Sequence, residues 1–373
     1  MIKYFNTDNI RILQEMGANV YVGTNFNAPG SITKSESKKF KEQLQHKGVV
    51  CYQIDFKRRI GSIRSNIHVI KQIRKIIVEN KIDGLHVQSP LGGVLGRIAA
   101  HKMDVKVLYT AHGFQFFPGG PKKDWFLYYP VERLLSHWCD ALVTINTDDF
   151  KAAQKFPTHT FYIPGVGTNI IKSQNRSVKE IQSLRKIYRK KLSIASDEFL
   201  ILSVGELTVR KNHQTMIKAL KQLNNPKIKY VIAGVGQEKE NLINLINNLG
   251  LQNNVKLLGY VNKDVLDGLY YAADLNVFVS LREGLGFGGL DGVAHNLYII
   301  GNANTGMKDY IINQNVGLMM NDPTDVNELA KLVKQAQKNE HSLRESEKAY
   351  IRKFDQQNIN KLMKGIYQQI LFS

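Results

Sequence analysis

The segment Ser280-Leu281-Arg282-Glu283-Gly284-Leu285-Gly286-Phe287-Gly288-Gly289-Leu290-Asp291 holds two carboxylates across a run of glycines. An apolar run at 275–280 predicts a strand before it, and a helix is expected after it, towards Asn296. Glycines let the backbone approach a ligand closely, and a helix N-terminus offers free N–H groups to phosphate oxygens. Glu283 would stand at the mouth of this turn, its carboxylate able to accept sugar hydroxyls. Asp291 lies about two helical turns further on and faces a similar way. A tight turn followed by a helix-capping acid would read the same.

A second cluster, Ser203-Val204-Gly205-Glu206-Leu207-Thr208-Val209-Arg210-Lys211-Asn212-His213, also follows an apolar run. Arg210 and Lys211 at the carboxyl end of a strand would neutralise a diphosphate; a solvated basic loop is the alternative. A third cluster is Leu108-Tyr109-Thr110-Ala111-His112-Gly113-Phe114. His112 follows a strand and precedes a glycine, which turns it towards a ligand cleft unless it is a structural histidine. Beyond it, Phe114, Phe116, Phe117 and Trp125 interleave with Lys122 and Lys123. Exposed, these rings suit a membrane interface or a lipid-bearing ligand; buried, they pack the core of a long loop.

The elements that carry these clusters alternate in type. Apolar runs at 19–24, 49–54, 84–87, 105–111, 141–146, 199–204, 229–233, 255–258, 275–280 and 298–301 predict strands, separated by helices. Ile63, Ile67, Ile70, Ile73 and Ile77 form one stripe at helical spacing over 63–78. A last helix is expected over 351–372, carrying Ile351, Phe354, Ile359, Leu362, Ile366 and Ile370. Such alternation implies parallel sheets in an α/β architecture. The 373 residues suffice for about two domains. Pro164-Gly165-Val166-Gly167 punctuates the join, followed by a polar, basic stretch at 172–191. In open α/β sheets, ligands bind beyond the carboxyl ends of the strands.

Composition narrows the class. Hydrophobic residues make up 43% of the chain, enough for packed cores. Two cysteines, Cys51 and Cys139, exclude a disulfide framework or a cysteine-rich zinc site and fit a reducing cytosol. No apolar run approaches the ~18 residues a membrane span needs, and the first residues carry no secretory h-region. The net charge of +19 favours anionic partners: nucleic acid, phosphorylated substrates or acidic lipid. No aromatic–basic RNA motif supports nucleic acid.

In this order and spacing the clusters resemble the family-4 retaining glycosyltransferases of bacterial capsule and exopolysaccharide assembly. The resemblance rests on Thr110-Ala111-His112-Gly113-Phe114 with Tyr128-Tyr129-Pro130-Val131-Glu132, and on Ile163-Pro164-Gly165-Val166-Gly167. It continues through Gly205-Glu206-Leu207, Lys211-Asn212-His213, Ala233-Gly234-Val235-Gly236, Leu258-Gly259-Tyr260-Val261 and Ser280 to Gly286. It implies the GT-B fold, with two Rossmann-like domains facing a cleft: an acceptor-side domain over 1–165, a nucleotide-sugar domain over 166–350, and a helix at 351–373 crossing back to the first domain. Glu283 matches the acid that touches the donor sugar, and His112 the histidine that reaches the same sugar, so these two are the expected catalytic residues. Lys211 matches the diphosphate lysine, with Arg210 beside it, and Gly286 and Phe287 would offer backbone N–H groups to the phosphates. Asp291 takes the ribose position, and Tyr260, Val261 and Gly234 line the nucleotide. No metal and no cofactor are implied beyond the nucleotide-sugar co-substrate, taken as a UDP-sugar.

The activity implied is transfer of a sugar to a lipid-linked saccharide acceptor, by a cytoplasmic enzyme peripheral on the inner face of the cell membrane. The alternative is a catalytically impaired homologue that binds or stabilises a partner glycosyltransferase. Glu206 stands where the family carries an arginine, and His86-Val87-Gln88 where relatives show His-x-His. The resemblance begins within the first helix, so the family's first strand and its glycine-rich loop are expected to be absent. For an anionic membrane surface the expected contact is Lys57, Arg58 and Arg59 with Arg64, His68, Lys71 and Lys75 on the next helix.

Overall fold

The structure is a computed structural model and describes residues 2–29, 32–57, 61–338 and 341–373. The chain forms two compact units. Unit 1 comprises Met1–Gly167 with Gln357–Ser373, and unit 2 comprises Thr168–Gln356.

Among the described residues, unit 1 contains the strands β1 (Tyr21–Thr24), β2 (Val50–Gln53), β3 (Gly84–Gln88), β4 (Lys106–Ala111), β5 (Ala141–Thr144) and β6 (His159–Tyr162). β1 and β2 pair in parallel as one sheet, and β3-β4-β5-β6 form a second, wholly parallel one. β4 and β5 are the central strands of the larger sheet and are buried on both faces, which is why they read as unbroken apolar runs. The helix Pro90–Ala100 follows β3 and starts with proline after Ser89, whose hydroxyl accepts from Gly92 N. It lies close on the sheet because it is glycine-rich. A Cβ on Gly93 would come within 2.5 Å of the Tyr109 ring, and one on Gly96 within 2.3 Å of Val87. Arg97 of this helix is wholly buried and pairs with Glu132 at 2.6 Å.

One expectation changes here, and one open alternative is decided. The stripe at 63–78 is only half core: in the helix Ile63–Glu79, Val69, Ile73 and Ile77 are buried, while Ile63 and Ile67 are exposed. Phe114 and Phe116 are not surface rings. Both are buried, stacked 4.8 Å apart and packed against Phe156 and Tyr129. Apolar burial outweighs their neighbouring lysines, so the core reading holds for these two.

Unit 2 contains β7 (Phe199–Val204), β8 (Ile228–Ala233), β9 (Val255–Gly259), β10 (Leu275–Phe278), β11 (Ile299–Asn302) and β12 (Gly317–Met320) in one parallel sheet of order β12-β11-β10-β7-β8-β9. The chain runs outward from β7 to β9, returns to the middle, then runs outward from β10 to β12. The order therefore reverses between β7 and β10, which pair through Leu275–Ile201 and Asn276–Leu202. A reversal of this kind splays the flanking loops apart at the carboxyl ends and makes the ligand crevice of doubly wound sheets. The C-terminal segment is helical over Glu345–Ile351, turns through Arg352–Phe354 and starts a new helix at Gln356–Ile370, so the single helix expected over 351–372 is interrupted at Asp355, which is extended. Within unit 1, Tyr367 of that helix reaches His86 Nδ1 at 2.9 Å.

Candidate functional site

The two loops at the carboxyl ends of β7 and β10 carry the basic cluster and the glycine-rich cluster. They are joined directly: Leu281 N–H donates to Arg210 O at 2.8 Å. Asn212 takes the left-handed conformation at φ 56°, which asparagine tolerates, and ends the turn that presents Arg210 and Lys211. Its side chain donates to Val279 O at 3.1 Å and to Pro323 O at 2.7 Å. Asn302 in β11 donates to Ser280 O at 2.8 Å. These buried amides fix the two loops against the sheet.

On that frame three charged side chains converge. Lys211 Nζ lies 2.6 Å and Arg210 Nη1 2.8 Å from the same oxygen, Glu283 Oε1. Arg210 also donates to Arg282 O at 2.9 Å. Lys211 Nζ stands 4.5 Å from the centre of the Phe278 ring, a cation–π contact that steadies the ammonium. Two cations on one carboxylate leave a net positive centre, suited to a diphosphate.

The helix Phe287–Ala294 begins at the same loop. Gly286 takes φ 80° as its N-cap, a conformation glycine adopts freely. Tyr310 holds Gly286 in place by donating to its carbonyl at 3.1 Å. Gly288 sits so close to β7 that a Cβ there would lie 2.7 Å from Val204 O. The amide end of this helix is thus aimed from the switch point, with Phe287 at its first turn. Asp291, on the same helix, accepts from the Thr168 hydroxyl. Burial pushes its carboxyl up, and the Thr168 hydrogen bond partly offsets this.

The loop after β8 closes on the loop after β7. Gly234 has no room for a side chain: a Cβ would lie 1.8 Å from Gly205 O. Leu207 N–H donates to Val235 O at 3.0 Å, and Gly234 N–H to Gly259 O at 2.9 Å. Beyond β9, Tyr260 is exposed, while Val261 packs on the core that includes Leu200 and Leu269. Unit 2 thus brings Arg210, Lys211, Glu283, Gly286 and Phe287 together, sets Gly234 against the same β7 loop, and places Asp291 on Thr168. Glu206 is exposed on that loop. The supports from Asn212, Asn302, Tyr310 and Phe278 are not foreseen from sequence, since each acts on a residue distant in the chain.

His112 belongs to unit 1. It follows β4, and Gly113 turns the chain at φ 119°. Its Nε2 lies 2.7 Å from Gln88 Oε1, an oxygen that also accepts from Asn6 Nδ2 at 2.8 Å. A carbonyl oxygen only accepts, so the His112 proton sits on Nε2 and Nδ1 carries the lone pair. That Nδ1 is shut off from solvent and has no partner among the described residues. Burial lowers the His112 pKa to about 4, so the ring is neutral near pH 7. Next to it, His86 Nε2 meets Thr110 Oγ1 at 2.8 Å, and burial lowers its pKa to about 3.

On the outer side of unit 1, Lys57, Arg64, His68, Lys71 and Lys75 are exposed as a basic flank requires. His68 lies 3.3 Å from Asp55 and Lys75 3.7 Å from Glu79. Arg58 and Arg59 lie outside the described residues.

Comparison with known proteins agrees with this geometry. Residues 185–354 match the family described as Glycosyl transferases group 1, and residues 31–147 match Glycosyl transferase 4-like. EpsD of Bacillus subtilis, named as a glycosyltransferase, is 36% identical over 254 residues, 66% of this chain and 65% of EpsD. An Escherichia coli UDP-Gal:alpha-D-GlcNAc-diphosphoundecaprenol alpha-1,3-galactosyltransferase is 27% identical over 61% of this chain and 60% of that protein. The alignments therefore span less than two thirds of these relatives' lengths. Among solved structures, Anabaena HepE in complex with UDP and glucose superposes with a TM-score of 0.76 at 18% identity, covering 99% of this chain and 97% of HepE. Sucrose-phosphate synthase from Thermosynechococcus elongatus gives 0.77 at 18% identity, covering 96% and 91%. The 185–354 segment is a glycosyl transferases group 1 domain, the 31–147 segment is a glycosyl transferase 4-like domain, and the chain that carries them has the GT-B fold.

Proposed function

We propose that the protein is a retaining, metal-independent glycosyltransferase that moves a hexose from a UDP-sugar to a lipid-linked saccharide during capsule or exopolysaccharide assembly. The observation that carries this reading is the meeting of Lys211, Arg210 and Glu283 at the β7/β10 reversal, beside the start of the helix Phe287–Ala294. As the bond from the anomeric carbon to the diphosphate breaks, negative charge grows on the leaving phosphate. Lys211, Arg210 and the amides at Gly286 and Phe287 stabilise that charge. Glu283 accepts hydroxyls of the donor sugar, and Asp291 those of the ribose. Tyr260, Val261 and Gly234 border the base and the phosphates. His112, held neutral by burial, keeps the sugar-contacting role that the resemblance implies. The acceptor hydroxyl attacks the face the diphosphate leaves, so the anomeric configuration is kept; no side chain is assigned as general base.

The names of relatives support the substrate class. One uses UDP-galactose and a diphosphoundecaprenol-linked acceptor, and others are named for O-antigen biosynthesis. In this reading the enzyme works in the cytoplasm, at the inner face of the membrane that holds its acceptor. The test is transfer from UDP-sugars to a synthetic polyprenyl-diphosphate saccharide, with the product anomer read by NMR. A product of inverted configuration, or no product with any such acceptor, overturns the assignment.

A further inference from the structure

Thr168 is the first residue of unit 2, and its backbone is held at both ends. Its N–H donates to Phe354 O at 3.2 Å, and its carbonyl accepts from Gln356 N–H at 3.0 Å. Asp355, which lies opposite it, is extended, and its carboxylate accepts from Ile171 N–H at 2.9 Å. The segment at 168–171 and the turn Arg352–Phe354 are thus fastened together, and the Thr168 side chain leaves them in a fixed direction. Its hydroxyl donates to Asp291 Oδ1.

The backbone at Asp291 is fixed independently. His295, one turn further along, has Nδ1 2.6 Å from the Asp291 carbonyl and Nε2 2.8 Å from Asp267, and its ring stacks on Tyr270 at 4.9 Å. The carboxylate itself is hydrogen-bonded by Thr168 alone among the described residues. It is half-buried, so part of it is open to a ligand. The terminal torsion of an aspartate is broad, and the backbone does not set the plane of its carboxylate. A hydroxyl donor on one oxygen does set it, through a charge-assisted bond. An ionised carboxylate accepts about four hydrogen bonds, so the one from Thr168 leaves Oδ2 wholly available.

We infer, resting on the reading that gives Asp291 the ribose, that Thr168 is a positioning residue for nucleotide recognition: its hydroxyl pins Oδ1, fixes the plane of the Asp291 carboxylate and presents Oδ2 to the ribose hydroxyls. The pin costs little on binding, because its donor stands on backbone that is already bonded on both sides, so the site is set before the ligand arrives. Thr168 touches no part of the donor in this account and acts only through Asp291.

The test is calorimetric titration of the full chain with UDP and with dideoxy-UDP, which lacks both ribose hydroxyls. Wild type should bind UDP about 10–100-fold more tightly than the dideoxy compound, the range for hydrogen bonds to a charged group. Thr168→Val keeps the branched shape and both backbone hydrogen bonds but removes the donor. It should shrink that ratio by about fivefold or more through weaker UDP binding, with dideoxy-UDP affinity within about twofold of wild type. Thr168→Ala should act in the same way, and Thr168→Ser, which restores the hydroxyl, should restore the ratio. Valine and alanine variants that keep the wild-type ratio overturn the inference, whether both affinities are unchanged or both fall equally, as a pin of the backbone alone would make them. Failure of serine to rescue also overturns it. A wild type that binds UDP and dideoxy-UDP equally overturns the inference and leaves the diphosphate site standing, whereas no binding of UDP at all overturns the proposed function with it.

Discussion

Lys211 Nζ and Glu283 Oε1 are 2.6 Å apart although 72 residues separate them in the chain, and Arg210 shares the same oxygen. The carboxylate is therefore both a sugar-binding group in the proposed mechanism and the partner of the diphosphate cations. Its removal should have effects of opposite sign. Glu283→Ala should abolish transfer yet leave UDP affinity equal or tighter, because both cations are released to the phosphates. Lys211→Ala should weaken UDP binding by about 1.5–3 kcal/mol, the worth of a charged hydrogen bond. Calorimetric titration with UDP checks both. The pairing also means that Glu283→Ala should lower Tm, since a largely enclosed lysine loses its partner; a substitution at a bare glycine-rich loop would be silent.

Gln88 sets the tautomer of His112. Gln88→Ala should free Nε2 and lower turnover by roughly tenfold, about 1.4 kcal/mol, while UDP affinity, which the proposed function assigns to unit 2, stays unchanged. Steady-state kinetics beside UDP titration separate the two. A parallel loss of UDP affinity would mean that Gln88 acts through folding instead.

His213 gives a pH dependence of stability. Burial lowers its pKa to about 4, helped by nearby Lys211, while a hydrogen bond with the Glu206 backbone works the other way. Between pH ~6.5 and pH ~4 the unfolded chain binds a proton here that the folded chain refuses, so stability falls as pH drops through this window, by up to about 3 kcal/mol from this group. Thermal melts from pH 7 to pH 4.5 should show that slope, and His213→Gln should reduce it.

Gly234→Ala should damage the proposed nucleotide site without touching a charge. The new methyl would meet Gly205 O, so the β7 loop that carries Arg210 and Lys211 must shift. A cost of roughly 1–3 kcal/mol in stability is expected, together with weaker UDP binding. Denaturant melts and titration measure the two.

Much of this was legible in sequence because the central strands are buried on both faces and so spell continuous apolar runs. The edge strands β6 and β12 were not. His159–Tyr162 is half-exposed and mixed in polarity, and Gly317–Met320 combines glycine with methionines of low strand preference. The site motifs were legible as strings of glycines and charges at strand ends. Their partnership was not: Lys211 with Glu283, and His112 with Gln88, meet only through sheet order. Hydrophobicity alone does not tell buried rings such as Phe114 and Phe116 from exposed apolar residues such as Phe126 and Leu127, so the sequence leaves both readings open.

The central claim is that unit 2 binds a nucleotide-diphosphate sugar at the β7/β10 reversal. The most direct measurement is a screen of UDP-, GDP- and dTDP-sugars against the purified chain, for binding and for slow donor hydrolysis, with Lys211→Ala alongside. The account predicts binding and hydrolysis of a UDP-sugar, with both lost or sharply reduced in the variant. Absence of binding for every nucleotide sugar, or equal binding by wild type and Lys211→Ala, would contradict it.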